Sequence, residues 1–297
     1  MGPLIAAVAT KAADDAIEAT QEEARGFLNP LLAYFGHHKC GTSWITKIVE
    51  DVCRAARLKF VSHHYETFFD GDILALRVRE PFDFWNYINA DVNFTREVDL
   101  RAFHVVRDPR DVIVSAYFSH LYSHSDAGWA RLRHYRPYLR SLSKHDGLLA
   151  EMEFNALFIA HMLMWDYSRP NILEVHFEDL AAAEEEGFEK IFRFLDLVPR
   201  SVSVEQMRAI VARHSFIQLS GGRPAGVEDA ASHYRKGVVG DWRNHFEPAH
   251  VEYFKKLYNP VLLKLGYESY EDWDEAFARR EEKKPVPRSA RASDTAS

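Results

Sequence analysis

The sequence contains little of what defines several common classes of protein. Only two of its 297 residues are cysteine, Cys40 and Cys53, so it has no disulfide framework and a reducing compartment is expected. No apolar run approaches the roughly 18 residues that a membrane-spanning helix needs. The apolar amino end, Pro3–Ala9, is short and lacks a basic flank, so we interpret it as structure and not as a signal peptide. These absences favour a cytoplasmic protein that does not enter a membrane.

An excess of basic charge is also missing. The chain has 37 Lys and Arg against 44 Asp and Glu, a net charge of −7 with the histidines neutral. No global positive field would attract nucleic acid, so no nucleic-acid partner is expected. If the ligand is an anion, the cations that bind it must therefore be concentrated locally. The apolar content of 47% is that of a globular protein with a sizeable core.

The chain divides into three predicted segments. Residues 1–29 form an N-terminal helical extension with a helix over Lys11–Phe27, residues 30–270 one domain, and residues 271–297 a charged tail that is partly disordered. Within the domain, apolar strands alternate with helices and no repeat is visible. This alternation predicts an α/β fold with a central parallel sheet flanked by helices.

The elements of this domain follow from apolar patterns and from breakers. The predicted strands are Leu31–Phe35, Lys59–His64, Arg101–Val106 and Ile172–Phe177. The predicted helices are Thr42–Val49, Val112–Tyr122, Leu148–Tyr167, Phe188–Leu195, Val204–His214 and Ala249–Leu265. Residues 73–92 carry no clear assignment, because Glu80-Pro81 interrupts an aromatic segment.

The first informative stretch is the strand, tight loop and helix of residues 31–49. This arrangement aims backbone N–H groups and the positive end of a helix at an anion. A Walker A loop has a lysine directly after its second glycine, whereas here Gly41 is followed by Thr42, and the lysine of the loop is Lys39. The loop therefore suits phosphate, but it lacks the Walker A lysine that enzymes hydrolysing a magnesium-bound nucleotide have at this position.

Two further stretches place cations next to donors. Arg107 ends a predicted strand, and Ser115 lies two turns into the next helix, so both side chains can grip one phosphate at the ligand-binding edge of a parallel sheet. Arg235 and Lys236 precede Gly237, which offers an exposed backbone N–H beside two positive charges. Alone, either stretch is as readily a helix start or a basic surface loop.

Together and in this order, the three stretches resemble the signatures of a known family. Lys39–Trp44 (KCGTSW), Arg107–Ser115 (RDPRDVIVS) and Arg235–Trp242 (RKGVVGDW) closely resemble those of the sulfotransferases that use 3′-phosphoadenosine 5′-phosphosulfate (PAPS). Val175–Leu180 and His214–Phe216 are weaker matches. The resemblance implies a single α/β domain with a P-loop-like phosphosulfate-binding loop. It also implies a sulfuryl transfer from PAPS to a hydroxyl, leaving adenosine 3′,5′-bisphosphate (PAP), without a metal.

The resemblance also implies roles for individual residues. Lys39 would contact the bridging oxygen and the sulfuryl group. A further set of residues is implied to bind the 5′-phosphate or the adenine. It comprises Cys40, Gly41, Thr42, Ser43, Trp44, Phe177 and Phe216. Those implied to bind the 3′-phosphate are Arg107, Ser115, Arg235, Lys236 and Gly237.

The general base is not settled by the resemblance. Cytosolic members carry a histidine in a Lys-Thr-His segment, which is missing between Phe69 and Arg101. Other branches use a glutamate some 20 to 30 residues after the loop, and Glu66 lies 27 residues after Lys39. We therefore predict Glu66 as the base. The alternatives are His63, His64, His104 and His120. The family's dimer motif is also altered, with Glu247-Pro248 in place of Thr-Val, so the oligomeric state stays open.

Two other functions fit parts of the sequence. A P-loop kinase or NTPase is the rival enzyme, disfavoured by Thr42 at the lysine position. A nucleotide-binding module without turnover is the rival outside catalysis. Residue types that bind zinc occur at His63-His64, at His37-His38 with Cys40, and at the i,i+4 pair of His120 and His124, but no set forms a recognised ligand pattern, so no metal is predicted.

The acceptor is predicted only as a class. The aromatic stretches Phe68–Tyr87 and Tyr117–Tyr138 indicate a partly apolar pocket. Such a pocket suits a small hydroxyl compound, for example a phenol, an aliphatic alcohol or a lipid. The basic, aromatic segment Arg131–Arg140 is either a wall of this pocket or an ordinary solvated surface.

Overall fold

A five-stranded parallel sheet forms the centre of the protein. The computed structural model describes residues 30–64, 72–90 and 98–274. The strands are β1 Leu31–Gly36, β2 Phe60–His63, β3 Phe84–Ile88, β4 Leu100–Val106 and β5 Ile172–His176. They are ordered β2-β3-β1-β4-β5, and all four neighbouring pairs are parallel. The predicted fold class, a parallel sheet flanked by helices, is confirmed.

The central strand β1 determines where the site lies. All six residues of β1 (LLAYFG) are buried, which is typical of a strand covered on both faces. At its carboxyl end, Gly36 pairs with Ile88 of β3 and Val105 of β4. The segments that follow β1 and β4 therefore leave the sheet side by side, at the edge where open parallel sheets bind ligands.

Helices cover both faces of this sheet. They are α1 Thr42–Ala55, α2 Ile73–Arg79, α3 Pro109–Phe118, α4 Ala130–Ser141, α5 Lys144–Phe154, α6 Ala156–Met164, α7 Phe177–Ala182, α8 Glu184–Phe194, α9 Val204–Arg213, α10 Phe216–Leu219 and α11 Pro248–Lys264. The apolar sides of α1, α8 and α9 pack on the face that carries Tyr34 and Phe103. The opposite face, with Phe35, packs against α2 and Trp165. Helices α3, α5, α6 and α11 share a separate apolar cluster.

The segment that the sequence left without an assignment forms a helix and a strand. Within residues 73–92, Ile73–Arg79 is helical and Phe84–Ile88 is the strand β3, between β2 and β1. Asp72 caps the helix by accepting the N–H of Ala75, and Pro81 separates the two elements. The aromatic run after Pro81 is thus a buried strand.

The prediction of one long helix over Leu148–Tyr167 is wrong. The segment forms α5 and α6, which meet at Asn155 and bend by 46°. Nδ2 of Asn155 donates to the backbone oxygen of Glu151 at 2.8 Å and to its carboxylate at 2.7 Å, and these bonds hold the break. No described helix alone has the length and apolar content of a membrane span, and only this bent pair taken together reaches them.

Two other predicted elements differ in detail. The strand predicted to be buried over Ile172–Phe177 is an edge strand that ends at His176, and only Ile172 in it is fully buried. The predicted helix after Arg107 begins at Pro109 and ends as an α-helix at Phe118. It continues as a π-helical turn, Ser119–Ser123, a wider coil that often marks functional sites.

Several predictions concern residues outside the described ranges. These are the helix over Lys11–Phe27, residues 275–297 of the predicted tail, and the predicted base Glu66.

Candidate active site

A cavity of about 310 Å³ opens at the carboxyl edge of the sheet, where the three cation-bearing stretches meet. Almost every residue predicted to bind the cofactor lines it. These are Lys39, Gly41, Thr42, Ser43, Trp44, Arg107, Ser115, Phe177, Phe216, Arg235, Lys236 and Gly237. The exception is Cys40, which is fully buried and whose thiol faces the backbone oxygen of His38. Segments about 70 and 200 residues apart in sequence thus form one site.

The loop after β1 takes an unusual backbone path. Lys39 and Gly41 both have left-handed conformations, with φ of 63° and 76°. A side chain at Gly41 would place its Cβ 2.6 Å from the Phe177 ring, so this position also needs glycine for space. Helix α1 starts directly afterwards without a side-chain cap, and since the N–H groups of Trp44 and Ile45 bond the backbone oxygen of Gly41, those of Thr42 and Ser43 are the ones without a partner within the helix. This is an anion-binding geometry.

Arg107 connects the loop to the end of β4. Its guanidinium donates to the backbone oxygen of Lys39 at 3.1 Å and lies over the Phe177 ring at 4.7 Å. Burial, followed by the charge of Arg107, lowers the pKa of Lys39 to about 8. Nε of Arg107 is enclosed and has no hydrogen-bond partner among the described residues. The positive charge of Arg107, which lines the cavity, is suited to an anionic ligand.

A buried carboxylate orients the cations of the third stretch. Asp241 accepts a bond from Arg235 at 2.5 Å and from Lys236 at 2.6 Å. Hydrogen bonds from His245, Lys236, Asn244 and Arg235 hold the pKa of Asp241 well below its usual range despite its burial. The carboxylate thus stays ionised and fixes both cations at the cavity wall.

The second and third stretches are also joined through Asp111 of α3. Its carboxylate accepts the backbone N–H of Gly240 at 2.6 Å and that of Trp242 at 2.9 Å. Asp111 and Trp242 are both buried, so neither partner has water as a substitute. This contact holds the Arg235–Gly237 segment against α3.

Replacing Asp111 with alanine is expected to lower the free energy of unfolding by about 1–3 kcal/mol, because the enclosed N–H of Trp242 loses its acceptor. Urea denaturation measures the change. Glu50→Ala is the matched control, since Glu50 bonds Arg54 at 3.2 Å on the surface of α1 and such pairs contribute little. Equal losses in the two variants would contradict the structural role of Asp111.

The predicted histidine bases do not line this cavity. His104 and His120 are fully buried, and His63 and His64 lie at the end of β2, with His64 exposed. The histidines that line the cavity are His38, His124 and His233, none of which the sequence identified as a base. The signal available in the sequence was the position of His38 directly before Lys39.

One group of side chains with metal-ligand spacing occurs in the described residues, and it is not at the cavity. It comprises His145, Glu247 and His250. Nδ1 of His250 accepts the backbone N–H of Glu247, and its Nε2 bonds the backbone oxygen of His145. Both ring nitrogens therefore serve the start of α11.

Comparison with solved structures agrees with the fold. The mouse sulfotransferase SULT7A1, solved in complex with PAP, has a similar fold, with a TM-score of 0.54 and 20% sequence identity. The superposition covers 82% of this chain and 90% of that one.

The relatives found by sequence are also sulfotransferases. Sulfotransferase 6B1 of Danio rerio is 28% identical over 177 residues, which cover 56% of this chain and 55% of the relative. Sulfotransferase 2A1 of Homo sapiens is 26% identical over 180 residues, covering 57% of this chain and 59% of the relative. The chain thus spans little more than half the length of these relatives. The family described as Sulfotransferase domain matches residues 92–273, more than half of the chain, and the protein therefore belongs to the sulfotransferase domain family.

Proposed function

We propose that this protein transfers the sulfuryl group of PAPS to a hydroxyl group of a small acceptor, without a metal ion. The observation that carries the proposal is the convergence of Lys39, Arg107, Arg235 and Lys236 on one cavity in a chain with a net charge of −7. Local cations of this kind suit a ligand with several phosphate or sulfate groups.

The residues present fit the nucleotide. Two aromatic rings, Phe177 and Phe216, line the cavity and offer faces on which a purine can stack. The start of α1 offers backbone donors to the 5′-phosphate. Arg107 and Arg235, which both line the cavity, supply charged donors to the 3′-phosphate. The volume of about 310 Å³ lies at the lower end of small-molecule pockets, which run from about 300 to 1,000 Å³.

PAPS supplies an activated sulfuryl group, and the chain's own residues stabilise its transfer. An ammonium at Lys39 is positioned to neutralise charge that develops on the leaving oxygen, the role that preorganised donors play in group transfer. Arginine and lysine would thus do the work that a magnesium ion does in P-loop enzymes.

The acceptor pocket is proposed to lie next to Lys39, on the side of the π-helical turn Ser119–Ser123. The rings of Trp129 and Phe158 pack against His38, so the wall that His38 forms is backed by apolar rings. Such a wall favours a phenol or an aliphatic alcohol. We also propose a cytoplasmic location, which the two free cysteines, Cys40 and Cys53, support.

The function is tested by incubating the protein with ³⁵S-labelled PAPS and a panel of phenols and alcohols, with and without EDTA. We expect a labelled sulfate ester and no loss of activity in EDTA. Phosphoryl transfer from ATP that depends on magnesium would instead indicate the kinase alternative. Tight binding of PAP without any transfer would indicate the binding module.

A further inference from the structure

A chain of three buried side chains leads from the core to the cavity beside Lys39. Nε2 of His38 lies 3.1 Å from Nε2 of His120. Nδ1 of His120 lies 2.9 and 3.0 Å from the two carboxylate oxygens of Glu151. His120 and Glu151 are both fully buried, and Asn155 donates to the same carboxylate at 2.7 Å. Of the three members, only His38 lines the cavity.

The hydrogen bonds determine which nitrogen of His38 carries the proton. A carboxylate accepts only, and both oxygens of Glu151 lie within 3.0 Å of Nδ1 of His120, so this nitrogen donates and Nε2 of a neutral His120 carries a lone pair. That lone pair accepts the N–H at Nε2 of His38. Nδ1 of a neutral His38 is then left with a lone pair.

This nitrogen has no competing partner in the described part of the chain. No hydrogen bond of Nδ1 of His38 is found there, and the atom is not among those enclosed without a partner. The ring itself is fixed, stacking on Phe158 at 4.5 Å and on His120 at 5.2 Å. Burial, with the nearby His120 and Lys39, lowers the pKa of His38 well below its usual value. His38 is therefore neutral near pH 7, which leaves the lone pair of its Nδ1 without a proton.

We propose that Nδ1 of His38 takes the proton from the acceptor hydroxyl, and that His120 and Glu151 are the residues that position it. The proposal rests on the proposed sulfuryl transfer. In the step, a bond forms between the acceptor oxygen and sulfur while the bond between sulfur and the bridging oxygen breaks. The bonding electron pair leaves on the 5′-phosphate of PAP, and the acceptor's proton moves to His38. Glu151 stabilises the resulting positive charge through His120.

A second hydrogen-bonded series of one glutamate and two histidines cannot take a proton from an acceptor in the cavity. Glu174, His104 and His37 are linked by contacts of 2.6 Å and 2.7 Å. Nδ1 of His37, however, is enclosed without a partner and the residue is fully buried. The difference between the two chains is access to the cavity.

His124 is the histidine of the cavity with which His38 is best compared. It also lines the cavity, and its ring centre lies 5.6 Å from that of His38. Its Nδ1 bonds the backbone oxygen of Ser125 at 2.8 Å, so no carboxylate supports it among the described residues. The groups facing His38 are thus Lys39 from its own loop, His120 and His124 from the π-helical turn, and Glu151 from α5 behind His120.

The test compares His38→Gln, His124→Gln and Glu66→Gln with wild type, using ³⁵S-labelled PAPS and an aliphatic alcohol from the panel. Glutamine retains an N–H group in place of Nε2 and removes the base. We expect kcat of His38→Gln to fall about 10²–10⁴-fold, with PAP affinity unchanged by calorimetry. His124→Gln and Glu66→Gln, at the two rival positions, should each lose far less turnover than His38→Gln. With 4-nitrophenol, which is largely ionised above neutral pH, the defect of His38→Gln should nearly disappear.

Two further measurements separate catalysis from structure. Free imidazole should restore turnover to His38→Ala, since a small cavity replaces the ring. Glu151→Gln should lower kcat and move the acidic limb of the kcat profile to lower pH, because the imidazolium loses its stabilising charge. A merely structural role would leave that limb in place.

The proposal is overturned if His38→Gln turns over the alcohol normally, or if Glu66→Gln loses turnover while His38→Gln keeps it. Failure of the proposed function looks different, because wild type would then transfer no sulfuryl group to any acceptor.

Discussion

Replacing Lys39 with alanine is expected to lower kcat for sulfuryl transfer by about 10²–10³-fold, the effect of losing one preorganised donor at a developing charge. Lys39 lies at the junction of the first loop and Arg107, where its backbone oxygen accepts a bond from the guanidinium at 3.1 Å. Because that bond involves the backbone, the alanine variant should keep it and retain the shape of the loop. Transfer from labelled PAPS under single-turnover conditions measures the effect. Nearly unchanged turnover would contradict the role given to Lys39.

The ionisation of Lys39 provides the control. Its pKa is lowered to about 8, and the protonated form is the active one. The profile of kcat/KM should therefore fall as the pH rises through about 8. Lys39→Arg keeps the charge at higher pH, so the alkaline limb should move upward in that variant. A limb that stays in place in Lys39→Arg would belong to another group.

The second large effect concerns the 3′-phosphate. PAP should bind much more tightly than adenosine 5′-monophosphate, because Arg107 and Arg235 offer charged hydrogen bonds to the group that the monophosphate lacks. Each such bond contributes about 1.5–3 kcal/mol, so the two together give a preference on the order of 10²–10⁴-fold. Calorimetry with the two nucleotides measures this preference.

Variants separate this recognition from general attraction. Arg235→Met should reduce the preference for PAP and leave the affinity for the monophosphate nearly unchanged. Arg133→Met is a matched control, since Arg133 is an exposed residue of α4 outside the cavity. Equal affinity of wild type for the two nucleotides would refute the assignment of the 3′-phosphate site.

The nucleotide cavity could be predicted from sequence because its parts are local. Each of the three stretches combines a strand end or loop with cations a few residues apart, and a parallel sheet brings such ends to one edge. Cys40 was included because it lies within the first stretch, yet its side chain points into the core. Sequence position alone does not tell which side of a tight loop a residue takes.

The proposed proton acceptor could not be found in the same way. His38 and His120 are 82 residues apart in sequence. They meet because the segments that follow β1 and β4 leave the sheet side by side, and the π-helical turn that carries His120 continues the second of these segments. Glu151 reaches His120 from α5, whose end at Asn155 carries neither glycine nor proline. The same bonds that break the predicted long helix, from Asn155 to Glu151, also fix the carboxylate.

The left-handed backbone of Lys39 means that folding and chemistry favour different amino acids at one position. For a residue with a side chain, this conformation costs roughly 1–2 kcal/mol, and glycine would avoid most of it. Glycine would also remove a positive charge that burial already disfavours, as the lowered pKa indicates. Yet glycine has no ammonium to place at the leaving oxygen. Lysine at this position is therefore a case of the trade-off between stability and activity, in which the loop holds its reactive group at the expense of its own stability.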